Sequence, residues 1–193
     1  MRLALFASGN GSNVEVLLSE KKKGRLPNIE WSVLICDNPN APVVEKVKFY
    51  EIPCWSRRLS EFESKKEFEK NIKKVLTFHK IEGIVLSGYM KIIGSEILNS
   101  WRNNIINLHP SLLPHFKGSN AIEQAFKAGV QVTGCTVHLV DEGIDTGSII
   151  AQKPIPILND DTLESLTQKM HNAEHIIFPN VVESFFKKIE TKL

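Results

Sequence analysis

Apolar and polar residues follow two rhythms along this chain, and the points where one gives way to the other mark its elements. "RLALFA" at 2–7 is a nearly continuous apolar run, the pattern of a strand covered on both faces. "GNGSN" then turns the chain, and a helix is expected from about Ser12 to Lys23 with Val16 and Leu17 inward. "EWSVLICD" reads as a second strand, ended by Asn38 and Pro39. A helix from about Val43 to Tyr50 leads to a short third strand near "IPCW". From Leu59 to His79, Phe68, Ile72, Val75, Leu76 and His79 recur at helical spacing with lysines on the opposite face. "GIVLSGY" and "NIINLH" are the fourth and fifth strands; "GCTVHLV", opening at Gly134, and "SIIAQKPIPI", following Gly147, are candidates for two more. A long closing helix is expected from about Asp161, N-capped there or at Asp160, with Pro179 kinking or dividing it.

Strands and helices in this order predict an α/β fold: an open, mostly parallel twisted sheet with helices on both faces, Rossmann-like, in a single domain over 1–193. Ligands in such sheets sit beyond the carboxyl ends of the strands. That rule brings "SGNGSN", "SGYM", "NLHP" and "DEGIDTG" around one crevice, because each follows a strand.

Composition narrows the partners. A formal net charge of +2, with 42% hydrophobic and 24% charged residues, gives no electrostatic case for nucleic acid or an anionic membrane. The run Lys21, Lys22, Lys23 reads as the solvated end of a helix. No segment approaches the roughly 20 apolar residues of a membrane span, and the first apolar run is broken too early, by Gly9 and Gly11, for a secretory leader. Cys36, Cys54 and Cys135 are odd in number and far apart, as expected of reduced thiols in a cytoplasmic protein.

Three patterns carry candidate chemistry. In "SGNGSN" the glycines admit close backbone approach, and the first helical amides favour an anion; the plainer reading is a strand–helix turn capped by Ser12. The loop lacks the Gly-Lys-Ser/Thr of a Walker motif and has Val14 in place of the third glycine of GxGxxG, so one phosphate suits it better than a dinucleotide. In "NLH", Asn107 and His109 lie one position apart on a strand and project to one face. There an amide and a protonated imidazole could both donate to a developing oxyanion, or form a structural polar pair. An acid beside His109 would favour its imidazolium form; Asp145 in "DEGIDTG" is one candidate, and Asp141 and Glu142 are others. The third pattern, "HNAEH", fits H-x-x-E-H, with His171 and His175 one helical turn apart as zinc ligands and Glu174 as base. The blander reading packs Met170, Ala173 and Ile177 inward and leaves the histidines on the polar side. It is preferred, and no metal is expected.

These motifs, "SGNGSN" at 8–13, "LSGYMKII" at 86–93, "NLHPSLLPHFKGSNAIEQA" at 107–125, "TGCTVHLVDEGIDTG" at 133–147 and "AEHIIFP" at 173–179, resemble the glycinamide ribonucleotide formyltransferases, folate-dependent enzymes of purine synthesis. The Asn-x-His-Pro segment and the later Asp are common to the wider superfamily; "FKGSNAIEQA" separates this chain from methionyl-tRNA formyltransferase. The additional domains of that enzyme and of formyltetrahydrofolate deformylase are not expected here.

The resemblance implies formyl transfer from 10-formyltetrahydrofolate to the amine of glycinamide ribonucleotide, with Asn107, His109 and Asp145 catalytic. It implies that Gly11, Ser12 and Asn13 hold the phosphate and that Glu174 meets the glycinamide end. The folate would lie against Met90, Lys91, Ile92, Ile93 and the loop Val140, Asp141, Glu142, Gly143, Ile144 and Asp145, with Lys65 nearby. In this scheme 1–100 is the phosphate-binding half and 101–193 the catalytic and folate-binding half, in a monomer or homodimer with small-molecule partners only. Lys65 and Lys91 stand where relatives often carry arginine, and Ile122 where they often carry histidine.

Overall fold

The computed structural model describes residues 1–191. Its seven-stranded sheet has the order β3-β2-β1-β4-β5-β6-β7. β1 (Arg2–Ala7), β2 (Glu30–Cys36), β3 (Cys54–Ser56), β4 (Gly83–Leu86) and β5 (Ile105–His109) pair in parallel. β6 (Val132–Leu139) and β7 (Ile149–Pro156) then add antiparallel strands.

The two-residue period of β1 divides the core. Leu3, Leu5 and Ala7 face a layer that includes Val14, Leu17, Val43, Val47, Met170, Phe178 and Phe186. These come from α1 (Ser12–Lys22), α2 (Pro42–Phe49) and α6 (Leu163–Glu190). Ala4 and Phe6 face Phe68, Ile72, Leu76, Ile97 and Leu98, from α3 (Lys65–Phe78) and the single turn α4 (Ser95–Leu98). The remaining helix, α5 (Ala121–Lys127), packs with α6 on the first face. No described helix is long and apolar enough to cross a membrane.

Several boundaries differ from the sequence pattern. In α1 the buried residues are Val14, Leu17 and Leu18, and Val16 is only half-buried. The stretch from Leu59 opens as a 3-10 turn, Leu59–Glu61; α3 starts only at Lys65, where Ser64 accepts from the Glu67 amide. Thr162, rather than Asp160 or Asp161, caps α6 by accepting from the Ser165 amide. Asp161 is committed elsewhere: its carboxylate takes the Leu158 amide, the Ser165 hydroxyl and the Lys169 ammonium. Those contacts hold its carboxyl down at about 2. Pro179 does not divide α6, which runs as one helix of 28 residues.

β7 forms one flank of the sheet and carries Lys153, Pro154 and Pro156 along it. The chain between β5 and α5 is tied to the antiparallel pair β6–β7, Gln152 donating to the Leu113 carbonyl. The Leu113–Pro114 peptide in it is cis. Thr136 on β6 pins the segment twice, donating to the Ser111 carbonyl at 2.6 Å and accepting from the Leu113 amide at 3.1 Å.

Candidate active site

A cleft of about 610 Å³ opens along the carboxyl ends of β1, β4 and β5. It lies within the size range of small-molecule sites. Residues from all four loops singled out in the sequence line it, among them Gly11, Met90, His109 and Asp145. Three arrive by the carboxyl-end rule. The fourth does not, because β6 runs backwards: His138 lies opposite Asn107 and Thr136 opposite His109. The loop after β6 therefore leaves alongside Ile105, whose carbonyl accepts from the Val140 amide, and must fold back over the sheet to return Asp145 to the cleft. Asp145 itself has a φ of 51°, the left-handed region that non-glycine residues seldom occupy.

At the β1 end, Gly11 precedes α1 with a φ of 70°, and a Cβ there would sit 2.3 Å from Val43 Cγ2. Glycine is required on both counts. No side chain caps this helix start, so Ser12 is not the cap that the plainer reading assigned it. Asn13 Nδ2 donates to Glu174 Oε2 at 2.9 Å, joining the turn to α6 across the cleft, and Asn13 Oδ1 is buried with no hydrogen-bond partner. His171 Nδ1 meets the same Glu174 oxygen at 3.2 Å. The hydrogen bond and charge of Glu174 raise the His171 pKa against a smaller opposing effect of burial. Glu174 is thus engaged by two neighbours, and among the described residues no three His, Cys, Asp or Glu side chains are grouped to hold a metal ion.

At the β5 end, Asn107 and His109 share a face, as their spacing requires. His109 Nε2 donates to the Phe116 carbonyl at 2.9 Å, leaving Nδ1 3.4 Å from Asp145 Oδ2. Asp145 Oδ2 also accepts the Gly118 amide at 2.8 Å, while Oδ1 lies 3.5 Å from His138 Nε2. Burial pushes the Asp145 carboxyl up, but the contact with His138, the hydrogen bond from the Gly118 amide and the charge that His109 and His138 each carry when protonated outweigh it and hold the group below its ordinary value. Between Asp145, Asp141 and Glu142, the structure selects the first as the neighbour of His109. Asp141 Oδ1 is used within its own loop, by the Gly143 amide and the Thr146 hydroxyl.

Other residues expected in the site are distributed unevenly. Met90, Lys91, Ile92, Ile93, Val140, Asp141, Gly143 and Ile144 line the cleft. Met90, Ile92 and Ile144 are more than half exposed, which forms an uncovered apolar rim. Lys91 Nζ reaches Asp37 at 3.6 Å. Lys65 lines a smaller adjoining pocket with Phe68, Tyr89 and Met90, its Nζ 3.8 Å from Glu69. Glu142 is not among the lining residues and pairs instead with Arg102 on the exterior. Sequence reasoning missed His138 and the Phe116 carbonyl, and it weighed His171 only as a zinc ligand rather than as the partner of Glu174. A histidine in the mostly apolar "TVHLV", two positions after Thr136, was the one available signal for His138.

Residues 1–182 match the family described as Formyl transferase. The chain is similar to phosphoribosylglycinamide formyltransferase of Bacillus subtilis (strain 168), 46% identical with 94% of this chain and 93% of that protein covered. It is also similar to the crystal structure of phosphoribosylglycinamide formyltransferase from Bacillus halodurans, with a TM-score of 0.94, 44% identity and coverage of 98% and 97%. A third likeness is to glycinamide ribonucleotide transformylase 1 from Geobacillus kaustophilus, with a TM-score of 0.92, 42% identity and coverage of 95% and 97%.

Proposed function

The chain belongs to the formyl transferase family, and on that premise we propose that it moves the formyl group of 10-formyltetrahydrofolate to the amine of glycinamide ribonucleotide. The amine nitrogen attacks the formyl carbon, the bond from that carbon to N10 of the folate breaks, and a proton passes from the attacking nitrogen to N10. Formylglycinamide ribonucleotide and tetrahydrofolate leave. The observation that carries this reading is the continuity of one cleft from the anion-ready turn at Gly11 to the Asn107, His109 and Asp145 cluster.

In this reading the amides of Gly11, Ser12 and Asn13 receive the phosphate, and the unpartnered Asn13 Oδ1 accepts a donor from the ribonucleotide. Glu174 orients the glycinamide amine without holding it as an ammonium. The apolar rim of Met90, Ile92 and Ile144 suits a flat heteroaromatic ring, and a carboxylated tail would compete with Asp37 for Lys91 at the cleft and with Glu69 for Lys65 in the adjoining pocket. Asn107 and imidazolium His109 stabilise the tetrahedral oxyanion. With Nε2 tied to Phe116, His109 exchanges its proton at Nδ1, on the side of Asp145. A cytoplasmic location belongs to the same proposal, and the three unpaired thiols are consistent with it.

The test is direct. Purified protein incubated with 10-formyltetrahydrofolate should deformylate it only when glycinamide ribonucleotide is present, with one formylated ribonucleotide per folate consumed. Formate release without the ribonucleotide would replace transfer by hydrolysis as the reaction.

A further inference from the structure

His138 is the buried titratable group at the reacting end of the cleft to which the reaction above assigns no task. Its side chain is 3% exposed. Nδ1 lies 2.7 Å from the Leu139 carbonyl, and Nε2 lies 3.1 Å from Asn107 Nδ2. A carbonyl can only accept, so Nδ1 carries a proton. The neutral ring then has a bare Nε2, and the only end of the Asn107 amide that can face a bare nitrogen is its NH₂. One amide N–H is used in this way, and the other is left for the formyl oxygen.

Protonation of His138 would reverse the constraint. An Nε2–H cannot accept from an amide; it would turn to Asp145 Oδ1, 3.5 Å away, or require Asn107 to present its own oxygen. A carbonyl oxygen aimed at a developing oxyanion repels it. The titratable groups facing the ring are Asp145, from the loop after β6, and His109 of β5, which reaches the other oxygen of the same carboxylate. The antiparallel register that sets His138 opposite Asn107 holds this arrangement in place.

We propose that His138 is a positioning residue: its unprotonated Nε2 fixes the rotamer of the Asn107 amide so that an N–H, not the carbonyl, meets the oxyanion. The inference rests on the formyl-transfer reading and deepens it. It assigns His138 no contact with substrate.

The experiment compares wild type, His138→Ala and His138→Gln by kcat and by KM for both substrates, over roughly pH 5.5 to 8.5. Glutamine places a non-titrating oxygen near the position of Nε2. His138→Ala should lose about 10²-fold in kcat, the cost of one misdirected donor, with both KM values within about 3-fold. His138→Gln should recover kcat to within about 10-fold of wild type, and its acid-side fall in kcat should shift to lower pH or vanish. Retention of kcat within about 3-fold in His138→Ala would overturn the inference. So would a glutamine variant as slow as alanine that keeps the wild-type acid limb. Thermal melting and ribonucleotide affinity of each variant report on folding, and the glutamine arm stands if alanine fails to fold. Wild-type protein with no ribonucleotide-dependent turnover would instead remove the function on which the inference depends.

Discussion

The two ends of the cleft are built in opposite ways. At the β1 end the groups proposed to face the phosphate are backbone amides at one helix start, presented by a turn of six consecutive residues, 8–13, with the Asn13 and Glu174 side chains beside them. At the β5 end the groups are side chains from three separate segments, and each is held by another: Phe116 and Asp145 hold His109, Gly118 holds Asp145, and His138 faces Asn107. A backbone site has no side-chain atom to lose and fails when the chain path changes. A side-chain relay keeps the chain path and fails when one atom is lost. Substitutions at the first end should therefore act on binding, and those at the second on turnover.

The largest effects fall on the relay. His109→Ala and Asn107→Ala should each lower kcat by about 10²–10³-fold while KM for the ribonucleotide stays within a few-fold, as steady-state kinetics would read. Asp145→Asn should follow the same pattern. An equal rise in KM would erase the contrast between the two ends. Next comes Gly11→Ala, which forces a methyl onto Val43 and strains a φ of 70°. It should raise the Kd for the ribonucleotide by about 10–10²-fold, as 1–3 kcal/mol of backbone strain implies, and titration calorimetry would report it. Glu174→Ala breaks the link to Asn13 and should weaken the ribonucleotide by about 10-fold, the scale of one lost hydrogen bond to a charged group. Unchanged affinity and turnover in that variant would show that Glu174 does not touch the glycinamide.

The smallest effect sharpens the comparison through pH. Glu174 raises the His171 pKa, so this pair stabilises the fold fully below the unfolded value of about 6.5 and loses its contribution as pH rises through the higher folded value. The imidazole is 42% exposed, and solvent screening keeps the increment below about 1 kcal/mol. The Tm of His171→Gln should fall short of wild type at pH 6 and converge with it at pH 8.

How much of this was legible in the sequence follows the same division. The β1 turn could be read because everything it needs is adjacent: an apolar strand, glycines and a helix start. Asn107 and His109 could be paired because strand alternation is local. His138 could not be joined to Asn107, since an antiparallel register over 31 positions leaves no mark in either segment. For the same reason the loop carrying Asp145 was assigned to the crevice by a rule that holds for parallel strands, whereas it gets there by doubling back. The helices Ser95–Leu98 and Ala121–Lys127 span too few turns to show a period. Glu142 was grouped with its loop neighbours, yet its side chain follows the nearest cation, Arg102, out to solvent.

One flank of the sheet resists a neighbouring strand. A chain sliding in beside β7 would find a lysine ammonium and, two residues apart, two ring nitrogens with no hydrogen to share. Growth by strand addition is blocked at this edge, and β7 stays the outer cover of β6, the strand that sets His138 opposite Asn107.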